Sequence, residues 1–519
     1  MATGEGVTLA RFPSATEFSD DDYVFMTQDG ATVKGTVGQL KTAVAISATQ
    51  ETFVAGEGVT PGTYLPGASS ITLTGTYASI NDLDVYVGAV PQLDCTLSGQ
   101  TLGFNPSIPA GTSKIVVRGK QARSIGTPSD ATITDAKLSP GSRIYNRSFF
   151  SVDLMDYGAD RFGVLASDAA LTAALIEAAN RGGAKITAPR GKFKFTSKRT
   201  YTHPAATACL GIEGAGPGMT EFSWSSADAL QVNHISAFNS FQLRGLTLST
   251  ATTGGGAGVF LNQTAAAIPD PGNSALNLFD SVVFQGADGQ KQTQYFGNAI
   301  DVFGVSNINF NDVQVCGPLA FYSTLGSGVL LRGSASLPSV VYNFRGCTFN
   351  LVNVGLNYGN WVQGVSLSQC NLTGNAIGVN VPAGITGTDQ LYIAGSQFNC
   401  ITALNVLSSC QATSLIGCLI IVPQGGAAAN LEYVSLTQLI GNTVAPSSYS
   451  NTAGNGFIIG QTVLLGATIN GNNFYHLPNA AVLLQANSSR NNVQSNNYDA
   501  NGQDVVDLGT NNIVGGGSK

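Results

Sequence analysis

The chain is short of charge, because Asp, Glu, Lys and Arg together make up only 11% of its 519 residues. The net charge of −7 and the isoelectric point near 5.0, with no stripe of lysine and arginine, argue against nucleic-acid binding. No apolar run reaches the length of a membrane span, so we expect no membrane-spanning segment. The N-terminus lacks a basic start followed by an apolar stretch, and we therefore expect no secretion signal.

Cysteine and histidine give no sign of a metal centre. The eight cysteines lack paired spacings such as C-x-x-C, and His234 and His476 are isolated in the sequence. There is also no Asp-rich calcium cluster, phosphate loop or Ser-His-Asp set. We therefore predict no metal and no cofactor, and we expect the cysteines to be reduced side chains of a core.

What the chain does have is a repeat of ten six-residue segments, each apolar in its first and last positions. Successive segments start 22–36 residues apart, and this variable step is typical of a solenoid whose loops accept insertions. The ten segments are residues 243–248, 279–284, 310–315, 344–349, 367–372, 393–398, 415–420, 439–444, 469–474 and 493–498.

Each position of the repeat predicts a place in the fold. The second position is mixed in polarity and should face solvent from a strand. The third is glycine in six of ten segments, which predicts a left-handed backbone turn. The fourth ends as Asn442, Asn472 and Asn496, which predicts a buried ladder of amides. We predict an all-β chain whose main domain is a right-handed parallel β-helix, a solenoid of single strands.

The sequence divides into five regions. We expect a short unit at residues 1–50 ending in a helix near 37–44, a β-rich module at 51–147, and a linker, a helix and the first coil at 148–200. The β-helix then covers residues 201–514, and 515–519 form a tail. Ser167 and the pair Gly182 and Gly183 mark the start and end of the helix, which should cover the open end of the first coil.

Two long stretches, and a short one that precedes them, resemble known families. Residues 155–195 resemble the opening segment of the pectate-lyase-like β-helix superfamily, through "YGA" at 157–159, an acidic helix start at Asp168 and "PRGKF" at 189–193. "DRFG" at 160–163 departs from the usual Gly-Asp-Gly. Residues 53–147 resemble the stem module of podovirus-type tailspikes and tail fibres, through "VTPGTYLPGASSITLTGTY" and "LSPGSRIYNR". Residues 18–44 resemble the virion-attachment unit that precedes such a stem.

The resemblance implies a bacteriophage tailspike. Such a protein is a homotrimer in the virion tail, is made in the host cytoplasm, and is attached through its N-terminus to tail or head–tail connector proteins. Its β-helix binds a bacterial surface polysaccharide, either capsule or O-antigen. The resemblance also implies cleavage of that polysaccharide by endo-hydrolysis, which would make the chain an endo-glycosidase, or depolymerase.

Paired carboxylates are the catalytic groups of such hydrolases, one protonated and one ionised. Between Val313 and Tyr498 the only acids are Asp389 and Glu432, so we look to the earlier coils. There the aligned repeat places Asp280 and Asp312 in neighbouring positions of successive coils, with Cα atoms roughly 5–8 Å apart. We predict Asp280 and Asp312 as the catalytic pair, with Asp301 on an adjacent outward strand as a third candidate.

Arginines and aromatic residues complete the predicted site. Arg244 and Arg345 share the outward position of Asp280, where they either bind an acidic sugar or pair with that carboxylate. Insertions at 249–275, 285–298 and 316–328 should wall a groove beside these coils. The predicted glycan-binding residues are Arg244, Arg345, Tyr295, Tyr322 and Trp361.

Other interpretations of the same residues remain open. Asp312 is also a turn former, Asp280 fits a solvated charge ladder, and Trp361 suits packing between chains of a trimer. The chain as a whole fits a non-enzymatic receptor-binding or structural spike, and a trimer also allows a site between chains that uses Asp389 or Glu432. A secreted pectinolytic enzyme is disfavoured by the stem module and the expected lack of a signal.

Overall fold

The structure is a computed structural model that describes residues 23–28, 31–36, 48–58, 62–75, 77, 79–120, 151–265, 271–289, 293–423, 425–448 and 454–515. The chain forms two compact units, residues 1–138 and 139–519. The helix predicted near 37–44 lies outside the described residues. Each described helix is too short or too polar to span a bilayer.

The described strand pairings of the first unit are antiparallel, except that Thr63–Tyr64 pairs in parallel with Ala48–Ala55. Tyr23–Gln28 pairs with Ala31–Thr36 in a hairpin. A five-stranded sheet runs in the order Thr63–Tyr64, Ala48–Ala55, Lys114–Lys120, Leu83–Val87 and Val90–Gln92, and a three-stranded sheet in the order Ser70–Thr72, Thr101–Phe104 and Cys95–Ser98. A 3-10 helix spans Ile80–Asp82. Alternate strand residues such as Phe53, Ile115 and Val117 are buried in one apolar core, as the alternating sequence runs predict.

The second unit is a parallel β-helix of 35 strands, in which each strand pairs with the corresponding strand of the next coil. We name its three faces A, B and C in chain order. Face A comprises Ser151–Asp153, Ala184–Thr187, Cys209–Glu213, Ile308–Asn311, Ser339–Arg345, Val362–Ser368, Asp389–Ala394, Gln411–Ile416, Gln438–Ile440, Thr468–Asn470, Asn492–Gln494 and Ile513–Val514.

Face B comprises Phe162–Ala166, Gly191–Phe195, Thr220–Trp224, Gln314–Cys316, Thr348–Asn350, Leu419–Val422, Thr443–Pro446, Asn473–Tyr475 and Asn497–Asp499. Face C comprises Arg199–Thr202, Leu230–His234, Ala257–Gln263, Asn298–Phe303, Ser327–Arg332, Val354–Tyr358, Gly426–Val434, Gly454–Thr462, Ala480–Leu484 and Gln503–Asp507. Ser240–Thr250 and Asn277–Gly286 run through A into B, and Asn371–Val381 and Gln397–Val406 run through B into C.

The turn between faces A and B confirms the predicted role of the third repeat position. All ten residues at this position have φ between 50° and 67°, including the non-glycine residues Ser281, Asp312, Gln369 and Ser495. Glycine adopts this left-handed conformation without steric cost, and the four exceptions show that the turn geometry is kept where glycine is absent.

The predicted amide ladder is also present. Asn442 donates its side-chain amide to Asn472 Oδ1 over 2.9 Å, and Asn472 donates to Asn496 Oδ1 over 3.0 Å. Each amide also bonds the buried backbone of a neighbouring coil, and both Asn442 and Asn472 have no exposed surface. In earlier coils, aromatic side chains stack inside the core, with Phe279, Phe310 and Phe344 at centroid distances of 5.1 and 4.3 Å.

The bend between faces B and C is lined by a column of glycine and alanine residues that was not predicted from the sequence. Its members occupy equivalent positions of successive coils: Ala229, Gly258, Ala299, Gly328, Gly355, Gly378, Ala403, Ala428, Gly456 and Ala481. A Cβ atom at Gly378 would stand 2.5 Å from the carbonyl oxygen of Ala403 and 2.8 Å from the ring of Phe398. Small residues therefore allow the coils to pack at this bend.

Short 3-10 helices span Leu154–Tyr157 and Pro271–Asn273. The α-helix Asp168–Asn180 packs against the first coil, and its buried residues, including Leu171 and Leu175, join the β-helix core. Ser167 precedes it as predicted, although its hydroxyl accepts from the Asp160 N–H and does not cap the helix. The Asp168 carboxylate binds Arg199 and the turn at Thr196. Burial opposes ionisation, but the Arg199 and Thr196 hydrogen bonds lower the pKa of Asp168 to about 2.

Candidate glycan-binding site

A column of polar and charged residues runs up the outer side of face A. Backbone pairing places Arg244 beside Asp280, Asp280 beside Asn311, and Asn311 beside Arg345. In the preceding coil, Arg244 pairs with Glu213, so the column begins with an acid. The repeat therefore aligned Arg244, Asp280 and Arg345 correctly, although it did not include Glu213.

The two arginines of this column are exposed and Asp280 is half-buried. Within the part of the chain that the structure describes, neither arginine forms an ion pair or a side-chain hydrogen bond with Asp280. Glu213 is held instead by Lys185, at 2.5 Å. Three coil steps of about 4.8 Å separate Arg244 from Arg345, so the Cα atoms of the two arginines lie roughly 14 Å apart on one face. Guanidinium groups bind carboxylates through paired N–H donors.

Asp312 lies at the turn between faces A and B, one residue beyond the pairing partner of Asp280. Its φ of 50° belongs to the left-handed region. The exposed carboxylate extends toward the following coil, because Oδ1 lies 2.5 Å from the point where a Cβ of Gly346 would stand. Asp280 belongs to the preceding coil. The two acids thus lie on adjacent coils, but the Asp312 carboxylate points to the side away from Asp280.

Asp301 lies on face C and is only 9% exposed. Arg332, from the next coil, donates to both of its oxygens over 2.9 Å. The same guanidinium lies near the rings of Phe260 and Phe303, at 5.5 and 5.3 Å from their centroids. Both carboxylate oxygens are thus engaged in charge-assisted bonds, and Asp301 faces a different side of the β-helix from Asp280.

The predicted aromatic residues fall at two corners of the β-helix. Tyr295 and Tyr322 lie in loops between faces B and C, where Tyr295 is 6% exposed and Tyr322 donates its hydroxyl to Asn399 Oδ1 over 3.0 Å. Trp361 lies between faces C and A, half-buried, with its ring against Gly387. Phe321, beside Tyr322, is 72% exposed. The structure therefore separates these rings from the column on face A.

A second ladder of asparagines lies on the outer side of face C. It was not predicted from the sequence. Asn380 donates its amide to Asn357, Asn405 to Asn380, and Asn430 to Asn405, over 2.9, 2.9 and 3.0 Å. The signal was present, because these residues recur at 23–25 positions, which is one coil. The aligned six-residue segments did not include face C, so the recurrence went unnoticed.

The described residues contain no group of three or more His, Cys, Asp or Glu side chains that could hold a metal ion. Two concave surfaces occur elsewhere. One of about 230 Å³ lies between the helix and Arg199–Thr202, and one of about 410 Å³ lies in the first unit beside Ser70–Thr72. Neither is lined by the acids or arginines of face A. The column is an open surface, which suits an extended polymer better than a small molecule.

No protein-family model and no curated protein sequence matches the chain. Solved structures with a similar fold include the mannuronan C-5 epimerase AlgE6 A-module of Azotobacter vinelandii, at 14% identity and a TM-score of 0.44 over 70% of this chain and 98% of that chain. They also include the Acinetobacter phage vB_ApiP_P1 tailspike, at 15% identity and a TM-score of 0.38 over 69% of this chain and 60% of that chain. A third is the Dettilon tailspike protein, at 13% identity and a TM-score of 0.40 over 72% of each chain.

Proposed function

We propose that the chain is a phage tailspike that binds an acidic bacterial surface polysaccharide, capsule or O-antigen, along face A of its β-helix. The observation that carries this proposal is the column in which Arg244 and Arg345 are exposed, make no ion pair with the described residues, and have Cα atoms roughly 14 Å apart. A polymer with a carboxylate in its repeat unit reaches both guanidinium groups at once. The likeness of residues 53–147 to a phage stem module supports the same assignment.

We further propose that the bound polysaccharide is cleaved by endo-hydrolysis, with Asp280 and Asp312 as the carboxyl pair. Their positions on adjacent coils put the Cα atoms roughly 6 Å apart. Carboxyl groups of retaining glycosidases are about 5–5.5 Å apart and those of inverting enzymes about 6.5–9.5 Å. Rotation of the exposed Asp312 side chain back toward Asp280 is needed to reach either range.

The alternative is a spike that binds without cleaving, and two observations favour it. The Asp312 carboxylate extends over Gly346, away from Asp280. Asp301, the third candidate acid, has both oxygens occupied by Arg332. In that case Asp280 balances the charge of the arginine column, and a carboxyl pair is either absent or completed between chains.

Variants of the column separate binding from cleavage. Arg244→Ala and Arg345→Ala should each weaken polysaccharide binding, and the loss should shrink as salt is raised, because the contacts are ionic. Arg490→Ala, which removes another exposed arginine, is the control.

Asp280→Asn and Asp312→Asn should each lower release of oligosaccharides by about 100-fold or more with binding retained, whereas Asp389→Asn should not. Unchanged release in both variants would mean that other residues cleave the polysaccharide, whereas binding without release by the unsubstituted protein would leave the adhesive spike.

The homotrimer and the attachment of the N-terminal region to phage tail proteins belong to the same proposal. On face C the outward column continues from Leu330 through the asparagine ladder to Ile458, Leu483 and Val506 without a charged residue. Identical chains around a threefold axis bring like residues together, so a neutral column avoids self-repulsion. We propose that face C lies toward that axis.

A further inference from the structure

Two histidines are buried in register inside the first coils of the β-helix. Pairing of Thr202 with Asn233 places His203 next to His234, and His234 pairs with Gln263 of the following coil. Their exposed fractions are 2%, 1% and 3%. The two imidazole rings are 4.9 Å apart between centroids, at 69° to each other. Three polar side chains thus form a column inside the core of the first coils.

These side chains lack the partners that buried polar groups normally have. Both ring nitrogens of His203, Nε2 of His234 and Nε2 of Gln263 make no hydrogen bond among the described residues. The hydroxyl of Tyr201, whose ring lies 5.1 Å from that of His203, is also unpartnered. A proton taken up by His203 therefore meets no acceptor among the described residues, and at His234 only the Asn239 backbone favours the charged form.

The groups around the imidazoles oppose protonation. Burial lowers the pKa of His203 to about 4. Burial, together with repulsion from His203, lowers the pKa of His234 to about 3, against a weaker opposite effect of the Asn239 backbone. The other titratable neighbour is Cys209, which acts on Tyr201. No carboxylate is among the groups that influence either histidine in the described structure.

We propose that the first coils of the β-helix, around residues 199–239, are an acid-sensitive element that opens when His203 and His234 take up protons. In the opened state both histidines regain their ordinary pKa of 6.5. The opened state then binds more protons than the closed one below pH 6.5, so stability falls as pH decreases toward 4. Between pH 7 and 4.5 each histidine lowers the closed-to-open ratio by roughly 50-fold.

Neighbouring structure does not share this sensitivity. The pKa of Asp168, lowered to about 2 mainly by Arg199 and Thr196 against the effect of burial, keeps the anchor of the helix ionised throughout this range. The distal coils are joined by asparagine amides that do not titrate. Opening is therefore confined to the coils that hold the two histidines.

Amide hydrogen exchange of the intact protein at pH 7 and 4.5, corrected for the intrinsic pH dependence of exchange, tests the proposal. Peptides from residues 199–239 should lose at least about 50-fold in protection at pH 4.5, and peptides from residues 426–475 should not. His234→Gln should reduce the loss, since glutamine does not titrate, whereas His476→Gln at an exposed position should leave it unchanged.

The unsubstituted protein decides the outcome even where a variant fails to fold. Equal protection of residues 199–239 at both pH values overturns the proposal, and so does an equal loss in both regions. Polysaccharide binding is not a readout here, so the result is independent of the proposed function.

Discussion

Single residues fix how one coil sits on the next. Asn472 is the centre of the inner ladder, because its Oδ1 accepts from both the backbone and the side chain of Asn442, and its amide donates to the carbonyl of Leu439. All of these groups are buried. The amide therefore satisfies polar groups of two coils that water cannot reach.

Asn472→Ala should lower stability by about 3–6 kcal/mol, because it leaves two donors and one acceptor unpaired in the core. Asn473→Ala, at the next position but on the outer side of face B, should cost less than about 1 kcal/mol. Thermal unfolding at matched protein concentration measures the difference. Similar transition temperatures for the two variants would show that the ladder contributes no stability.

Residues that repeat could be predicted, and residues in insertions could not. The left-handed turn and the asparagine ladder were readable because each coil imposes the same backbone on the same position. The burial of Tyr295 was not, since its ring packs on Gly254 and Gly326, which belong to other insertions with no repeat pattern. The orientation of the Asp312 carboxylate was equally inaccessible, because a turn residue is free to rotate toward either neighbouring coil.

Strands and bends set which side of the molecule a residue faces. The sequence could not assign Asp301 to face C and Asp280 to face A, because the variable loops hide how many residues separate successive faces. The glycine and alanine column at the bend between faces B and C escaped notice for the same reason. Its tight packing nevertheless makes a clear prediction about the bend.

Gly378→Ala should destabilise the protein by about 1–3 kcal/mol, because the added methyl group overlaps backbone and aromatic atoms of the next coil. Gly454→Ala is the matched control, since its nearest neighbour would be 3.7 Å from the new Cβ. The control should be neutral or slightly stabilising. Chemical denaturation of both variants compares them, and an equal effect would mean that the bend tolerates larger residues.

At the scale of the whole molecule, the proposed trimer depends on where charge is absent. Between Val313 and Tyr498 the chain contains only three arginines and two acids. Leu483→Arg places a charge in the outward column of face C and, in a trimer, brings three like charges together. Tyr392→Arg is the control, because it places a charge on the exposed side of face A, away from the proposed axis.

We expect the unsubstituted protein to sediment as a trimer, Leu483→Arg to shift it toward the monomer, and Tyr392→Arg to leave it trimeric. Sedimentation velocity at several concentrations measures this, with circular dichroism to verify that the β-helix is folded. A monomeric unsubstituted protein contradicts the trimer, and trimeric Leu483→Arg contradicts the placement of face C.

The most direct test of the central claim is incubation of the purified protein with a panel of acidic and neutral capsules and O-antigens, with binding and product masses recorded. We predict salt-sensitive binding to an acidic polysaccharide and release of repeat-unit fragments that each gain one water, as hydrolysis requires. Binding without fragments would leave an adhesive spike. Retention of no polysaccharide by the intact, folded protein, or equal retention of neutral and acidic ones, would contradict the proposed role of the arginine column.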